Sequence, residues 1–113
     1  MARRRIYYHW EIPSTVVNIV NSICADYDRR RHLINSSTAS ASESVLNRLA
    51  ELNAVVDKAL EEIEPVMRQE IISDISAHRG YYKSTCAVMI DKNAYYRRRR
   101  KLIHDIAITL SLI

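Results

Sequence analysis

Met89-Ile90-Asp91-Lys92-Asn93-Ala94-Tyr95-Tyr96-Arg97-Arg98-Arg99-Arg100-Lys101-Leu102 leads into an aliphatic stretch that continues to Ile113. The Asp91 carboxylate can accept hydrogen bonds from the unpaired backbone N–H groups of a first helical turn, so a turn followed by a helix start is expected there. With about 100° between successive residues, Tyr95, Leu102, Ile106, Leu110 and Ile113 share one face of that helix, and Asn93, Arg97, Arg100 and His104 lie opposite. One face packs, and the other is left to meet an anion. Arg98 and Arg99 fall near the packing side. They suit structural work, either with their stems lying on the core or in ion pairs with acidic residues such as Glu70 or Asp74.

A charge run on a helix is commonly just a solvated face, but such faces tend to mix signs. Here the run is arginine-rich, and arginine neutralises phosphates and forks onto guanine edges. A capped start, basic residues on the outer side of the first turns and an apolar anchor behind them are the features of a helix that enters a DNA groove.

Composition supports a helical fold. The chain has 113 residues, 48% of them hydrophobic, which is one domain with room for a core. A single glycine and two prolines leave few tight turns, so the expected class is all-α, a helical bundle with a C-terminal helix-turn-helix. The net charge of +4 is unevenly spread. Arg79 to Lys101 holds eight basic residues against Asp91 alone, whereas Glu43 to Asp74 holds eight acidic against three basic. The basic end suits nucleic acid, and the acidic middle would be repelled by it.

Cys24 and Cys86 are far apart among apolar residues, with no CxxC pattern, so buried free thiols are expected. Arg3-Arg4-Arg5 is not followed by the apolar run of a secretory leader, and no stretch approaches the roughly 18 apolar residues of a membrane span. A reducing, cytoplasmic setting without membrane contact is therefore expected.

Two sections follow along the chain: residues 1–42, with a basic and aromatic arm, a first helix and a Ser-rich linker, and residues 43–113, the helical core, the two together forming one compact domain. Ser14 is the expected N-cap of a helix running to about Arg31. The longest helix spans roughly Glu43 to Glu64, with Val45, Leu49, Leu52, Val56, Ala59 and Ile63 spaced as a heptad seam. Such a stripe more often packs inside its own domain than against a second copy. Pro65 fits the first turn of the next helix, and Gly80 is expected to end it in a left-handed conformation. A short helix over about Tyr81 to Val88 would then precede the basic helix.

From Ala59 to Ile113 this order resembles the C-terminal region of phage late-gene transcription regulators of the ArpU and RinA type, which look like region 4 of sigma factors. Tyr81-Tyr82 resembles their aromatic pair, Ile90 to Arg97 the turn and start of the recognition helix, and Arg99-Arg100-Lys101-Leu102-Ile103 with Ile106-Ala107 and Leu110 its tail. Asp91 stands where a serine or threonine is common in such proteins, and Val88-Met89 where a small residue is. The resemblance implies a non-enzymatic regulator that reads duplex DNA at promoters, with RNA polymerase as a further partner. On that expectation Asn93 and Arg97 meet base edges, Lys92, Tyr96, Arg100 and Lys101 hold phosphates, Lys83 adds one more, and His104 extends the same face.

One recognition helix specifies little sequence, so a homodimer is expected, with Leu49, Leu52 and Val56 near its interface. The alternative from another class is a helical interaction or assembly protein that uses the long acidic helix as its partner surface. No catalytic residue, cofactor or metal site is expected. The four histidines are scattered, one glycine cannot build a phosphate loop, and Glu61-Glu62-Glu64 fits a solvated acidic face.

Overall fold

The computed structural model describes residues 11–36 and 42–113, so the basic arm before Glu11 and most of the Ser-rich linker lie outside the described residues. The described chain is all-α: α1 (Ser14–Ala25), α2 (Tyr27–Asn35), α3 (Glu43–Leu60), α4 (Pro65–Ser76) and α5 (Lys92–Thr109), with two 3-10 turns, Tyr81–Lys83 and Thr85–Val88, between α4 and α5.

Helical spacing decides what each element buries. On α1, Val16, Val20 and Cys24 recur every four residues and are sealed against α4 and α5. Ile71, Ile72 and Ile75 of α4 and Leu102, Ile106 and Ala107 of α5 complete the same core. Each of the valine, leucine and isoleucine side chains among them, taken from water, contributes about 1.5–3 kcal/mol, which holds α5 by its apolar back. Both cysteines are free and buried. Burial pushes the Cys24 thiol up to about 12 and the Cys86 thiol upward as well.

Several local expectations are corrected. The first helix is not continuous to Arg31 but breaks at Asp26, after which α2 turns to pack along α3. Ser14 is the first residue of α1 and Pro13 takes the cap position, with no side-chain cap bond. The long helix stops at Leu60, where the Arg68 guanidinium takes the carbonyls of Ile63 and Glu61 at 2.7 and 3.3 Å. Pro65 does occupy the start of α4.

The left-handed residue after α4 is His78, with φ 58°, and not Gly80. Arg79 N–H reaches back to Asp74 O at 2.7 Å and His78 N–H to Ile75 O at 3.3 Å, which closes the helix end. Ser111, at φ 59°, ends α5 in the same way, with Leu112 N–H on Ala107 O at 2.8 Å. Leu110, before that turn, is partly buried, whereas Ile113, past it and expected on the apolar face, is exposed. The short helix expected over Tyr81 to Val88 is the pair of 3-10 turns. Ser84 caps the second through Cys86 N–H at 3.0 Å, and the Tyr81 hydroxyl ties it down by donating to Ile90 O at 2.7 Å.

The heptad seam divides. Val56, Ala59 and Ile63 are buried in the core, which takes Val56 away from any interface with a second copy. Leu49 and Leu52 are half-buried and Val45 is exposed. No helix among the described residues is long and apolar enough to cross a membrane.

Candidate nucleic-acid interface

The orientation of α5 is set from both ends. Asp91 Oδ1 accepts from Ala94 N–H at 2.8 Å, the cap expected from the sequence. Tyr95, Leu102 and Ile106 are at most 1% exposed, so rotation of the helix about its axis would bring apolar surface into water. The opposite side must then face outward. Lys92, Asn93, Tyr96 and Arg100 are exposed there, and Arg97 is partly covered.

A buried polar network fixes the same helix to its neighbours. Asp74 on α4 has no solvent exposure, and its two oxygens are taken by the Tyr95 hydroxyl at 2.7 Å and Arg79 Nε at 2.9 Å. Arg79 also approaches Glu70 at 3.6 Å. Arg99 Nη1 donates to Arg79 O at 2.6 Å and to the Tyr95 hydroxyl at 2.9 Å. Burial, followed by the hydrogen bond to Asp74, pushes the Tyr95 phenol up to about 12. Arg98 turns the other way and forks onto Glu64 with contacts of 2.8 and 2.7 Å. The structural work expected of Arg98 and Arg99 is therefore seen, with altered partners: Glu64 serves Arg98, and Arg79 takes Asp74 and Glu70.

The only glycine belongs to this site. Gly80 is extended, and a Cβ there would stand 2.8 Å from the Tyr96 hydroxyl. That hydroxyl accepts from Tyr81 N–H at 3.0 Å, so glycine permits a close approach that joins the turn to α5.

Lys92, Asn93, Tyr96, Arg97 and Arg100 all line one cleft beside α1, a subset of the residues expected to bind DNA. Lys101 and His104 do not. They lie over a depression shared with Glu61 and Glu62, just past the end of α3, Lys101 pairing with Asp105 at 2.8 Å and His104 Nδ1 lying 3.3 Å from the same carboxylate. Lys83 sits exposed on the first 3-10 turn, outside the cleft lining. Lys92 lies 5.3 Å from the centre of the Tyr82 ring, a cation-π contact that links α5 to that turn.

Sequence reasoning missed Arg79, Arg99 and Asn21 as members of the lining. Arg99 carried a signal in its position next to Arg100, but Asn21 belongs to α1 and only the fold brings it there. Among the described lining residues there is no carboxylate. The arrangement suits an anion with more than one charge. No group of histidine, cysteine, aspartate and glutamate side chains among the described residues could hold a metal ion.

Compared with protein-family models, curated proteins and solved structures, the chain matches none of them.

Proposed function

We propose that this protein is a non-enzymatic, cytoplasmic DNA-binding regulator of the phage or prophage type that its C-terminal half resembles, and that it reads duplex DNA with the outer face of α5. The supporting observation is the strip of Lys92, Asn93, Tyr96, Arg97 and Arg100 on a capped helix whose opposite side is locked into the core. Asn93 and Arg97 would meet base edges, and Lys92, Tyr96 and Arg100 would hold phosphates. Two 3-10 turns stand in front of α5 where a short α-helix was expected, so the helix-turn-helix reading rests on α4 and α5 with those turns between them.

Fluorescence anisotropy of random duplex fragments at two salt concentrations tests this. Three or four phosphate contacts would give log K a slope of roughly −3 against log salt. Binding that is absent, or indifferent to salt, overturns the reading.

A second reading has its own observation. Leu33 and Val45 are exposed on α2 and α3, beside half-buried Leu46 and Leu49, so the α2–α3 hairpin offers apolar surface to a partner, in the simplest case a second copy of this chain. Sedimentation of wild type and Leu49→Lys tests that assembly. A monomeric wild type at tens of micromolar would exclude the dimer.

A further inference from the structure

The two 3-10 turns before α5 carry the two most exposed large hydrophobic side chains among the described residues, Val88 at 89% and Tyr82 at 78%, with Met89 at 45% next to Val88. Neighbouring apolar side chains kept in water mark a contact surface. The turns that hold them are tied down. Tyr81 points inward, its ring 5.6 Å from that of Tyr95 and its hydroxyl donating to Ala87 O at 3.2 Å and Ile90 O at 2.7 Å. Cys86 is buried, Ile90 packs against the core, and Glu70 accepts from Thr85 N–H at 3.1 Å. With Tyr81, Cys86 and Ile90 taking the inner side, Tyr82, Val88 and Met89 are left outside on a framework that is already ordered, which lowers the entropy lost when a partner meets them.

Charge and position say what that partner is. From Arg79 to Ile90 the chain has no carboxylate, Lys83 is exposed, and Lys92 lies 5.3 Å from the centre of the Tyr82 ring. The acids beside the turns are engaged, Asp91 by Ala94 N–H and Glu70 by Thr85 N–H and Arg79. A polyanion is therefore favoured over an acid-repelling surface. Met89 and Val88 precede Lys92, the first residue of α5, by three and four positions, so even an extended chain would separate them by no more than about 11 and 14 Å. The major groove is about 12 Å wide, and a reading helix presents its N-terminal residues to the base edges there. An apolar side chain at that end of the helix meets the apolar group that the groove displays, the C5 methyl of thymine.

We propose that Val88 and Met89 determine specificity for thymine, by packing against the C5 methyl groups of thymines that neighbour the bases met by Asn93 and Arg97. The proposal rests on the reading of α5 as the helix that enters duplex DNA, and it adds a base identity that the basic strip does not supply. Arginine and asparagine recognise bases through hydrogen bonds, and thymine and uracil offer the same acceptors and donor. Only an apolar contact distinguishes the two.

Duplex fragments that the full chain retains from a random pool, copied once with thymidine and once with deoxyuridine triphosphate, differ only in those methyl groups, and titrating both copies tests the proposal. Wild type should bind the thymine copy more tightly, by about fourfold for each methyl covered. Val88→Ser/Met89→Ser should bind the two copies alike while keeping the salt slope of wild type, and because both side chains lie outside the core it should melt as wild type does. Arg97→Ala/Arg100→Ala should weaken both copies and keep their ratio. The comparison on wild type stands whether or not the turn variant folds. Equal affinity of wild type for the two copies, with salt-dependent duplex binding intact, overturns the thymine contact and leaves the reading of α5 standing. A preference that survives in the folded Val88→Ser/Met89→Ser variant overturns the assignment to these residues. If neither copy is bound, the reading of α5 falls and this proposal with it. Equal affinity for the copies, joined to capture of wild type but not of the turn variant by phosphatidylserine vesicles, would overturn it in favour of a membrane surface.

Discussion

Two arginine runs sit on helices of the described chain, Arg29-Arg30-Arg31 on α2 and Arg97-Arg98-Arg99-Arg100 on α5, and the fold treats them differently. Every member of the first run is matched close by. Arg29 forks onto Asp26 with two contacts of 2.6 Å, and Arg31 meets Asp28 at 3.0 Å. Arg30, only 3% exposed, donates to Asn53 Oδ1 and Ile23 O at 2.6 Å each. Asn53 in turn donates to Tyr27 O at 3.2 Å, and the Tyr27 hydroxyl donates to Asp57, so Arg30 and Tyr27 fasten α2 to α3. In the second run Arg98 does similar work through Glu64, but no acidic residue stands three or four positions from Arg97 or Arg100 on α5. The same residue type makes an internal joint in one helix and a basic outer strip in the other. Arg29 and Arg31 pair with acidic residues one turn away, whereas Arg30 and Arg98 are joints because the fold brings Asn53 and Glu64 to them, so tertiary placement decides and the bare count of arginines does not.

The largest expected effect lies beneath the basic strip. Asp74→Ala removes the buried carboxylate from Tyr95 and Arg79, leaving the guanidinium without its closest partner, and should cost about 3–5 kcal/mol in urea unfolding. A loss below about 1 kcal/mol would mean that the network does not hold α5 in place. Next comes the joint on α2. Arg30→Ala should cost about 2 kcal/mol, because Asn53 and Ile23 O lose their donor in a buried place, whereas Arg29→Ala should leave the unfolding midpoint almost unchanged. Similar costs for the two would erase the distinction within that run.

A smaller effect depends on pH. Hydrogen bonds from Arg98 hold the Glu64 carboxyl down to about 2, from an ordinary value of 4.5. Because the folded value is depressed, the pair's contribution to stability is present above about pH 4.5 and is lost as the pH falls towards 2. The side chain of Glu64 is 48% exposed, so the amount is less than about 1 kcal/mol. Glu64→Gln should flatten the acid limb of the stability curve over that interval and leave the neutral region almost unaltered. Identical curves for variant and wild type would show that the pair adds nothing.

The class of the fold and the back of α5 were legible because apolar spacing at Tyr95, Leu102 and Ile106 repeats the helical period, and Asp91 sits where a cap is needed. The outer residues Asn93, Arg97 and Arg100 follow from the same arithmetic. Less was legible wherever tertiary contacts override local preference. His78 holds the left-handed position, and Gly80 serves instead the close approach of the Tyr96 hydroxyl, a contact that only the fold brings about. The break at Asp26 has no glycine or proline to announce it. Lys101 and His104 belong to the basic segment in sequence, yet both pair with Asp105 and line a depression with Glu61 and Glu62, residues that only the fold brings beside them. Asn21 carried no signal in the chain, since its place in the cleft depends on α1 lying beside α5.

The most direct measurement compares duplex binding by the double variants Arg97→Ala/Arg100→Ala and Arg29→Ala/Arg31→Ala at low and moderate salt, with unfolding followed in parallel. The α5 pair should lose about a hundredfold in affinity and flatten the salt dependence, with stability changed by less than about 0.5 kcal/mol; the α2 pair should bind within about twofold of wild type. A folded α5 variant that binds duplex DNA as wild type does, or equal losses for the two pairs, would contradict the assignment of the outer face of α5 as the DNA-reading surface.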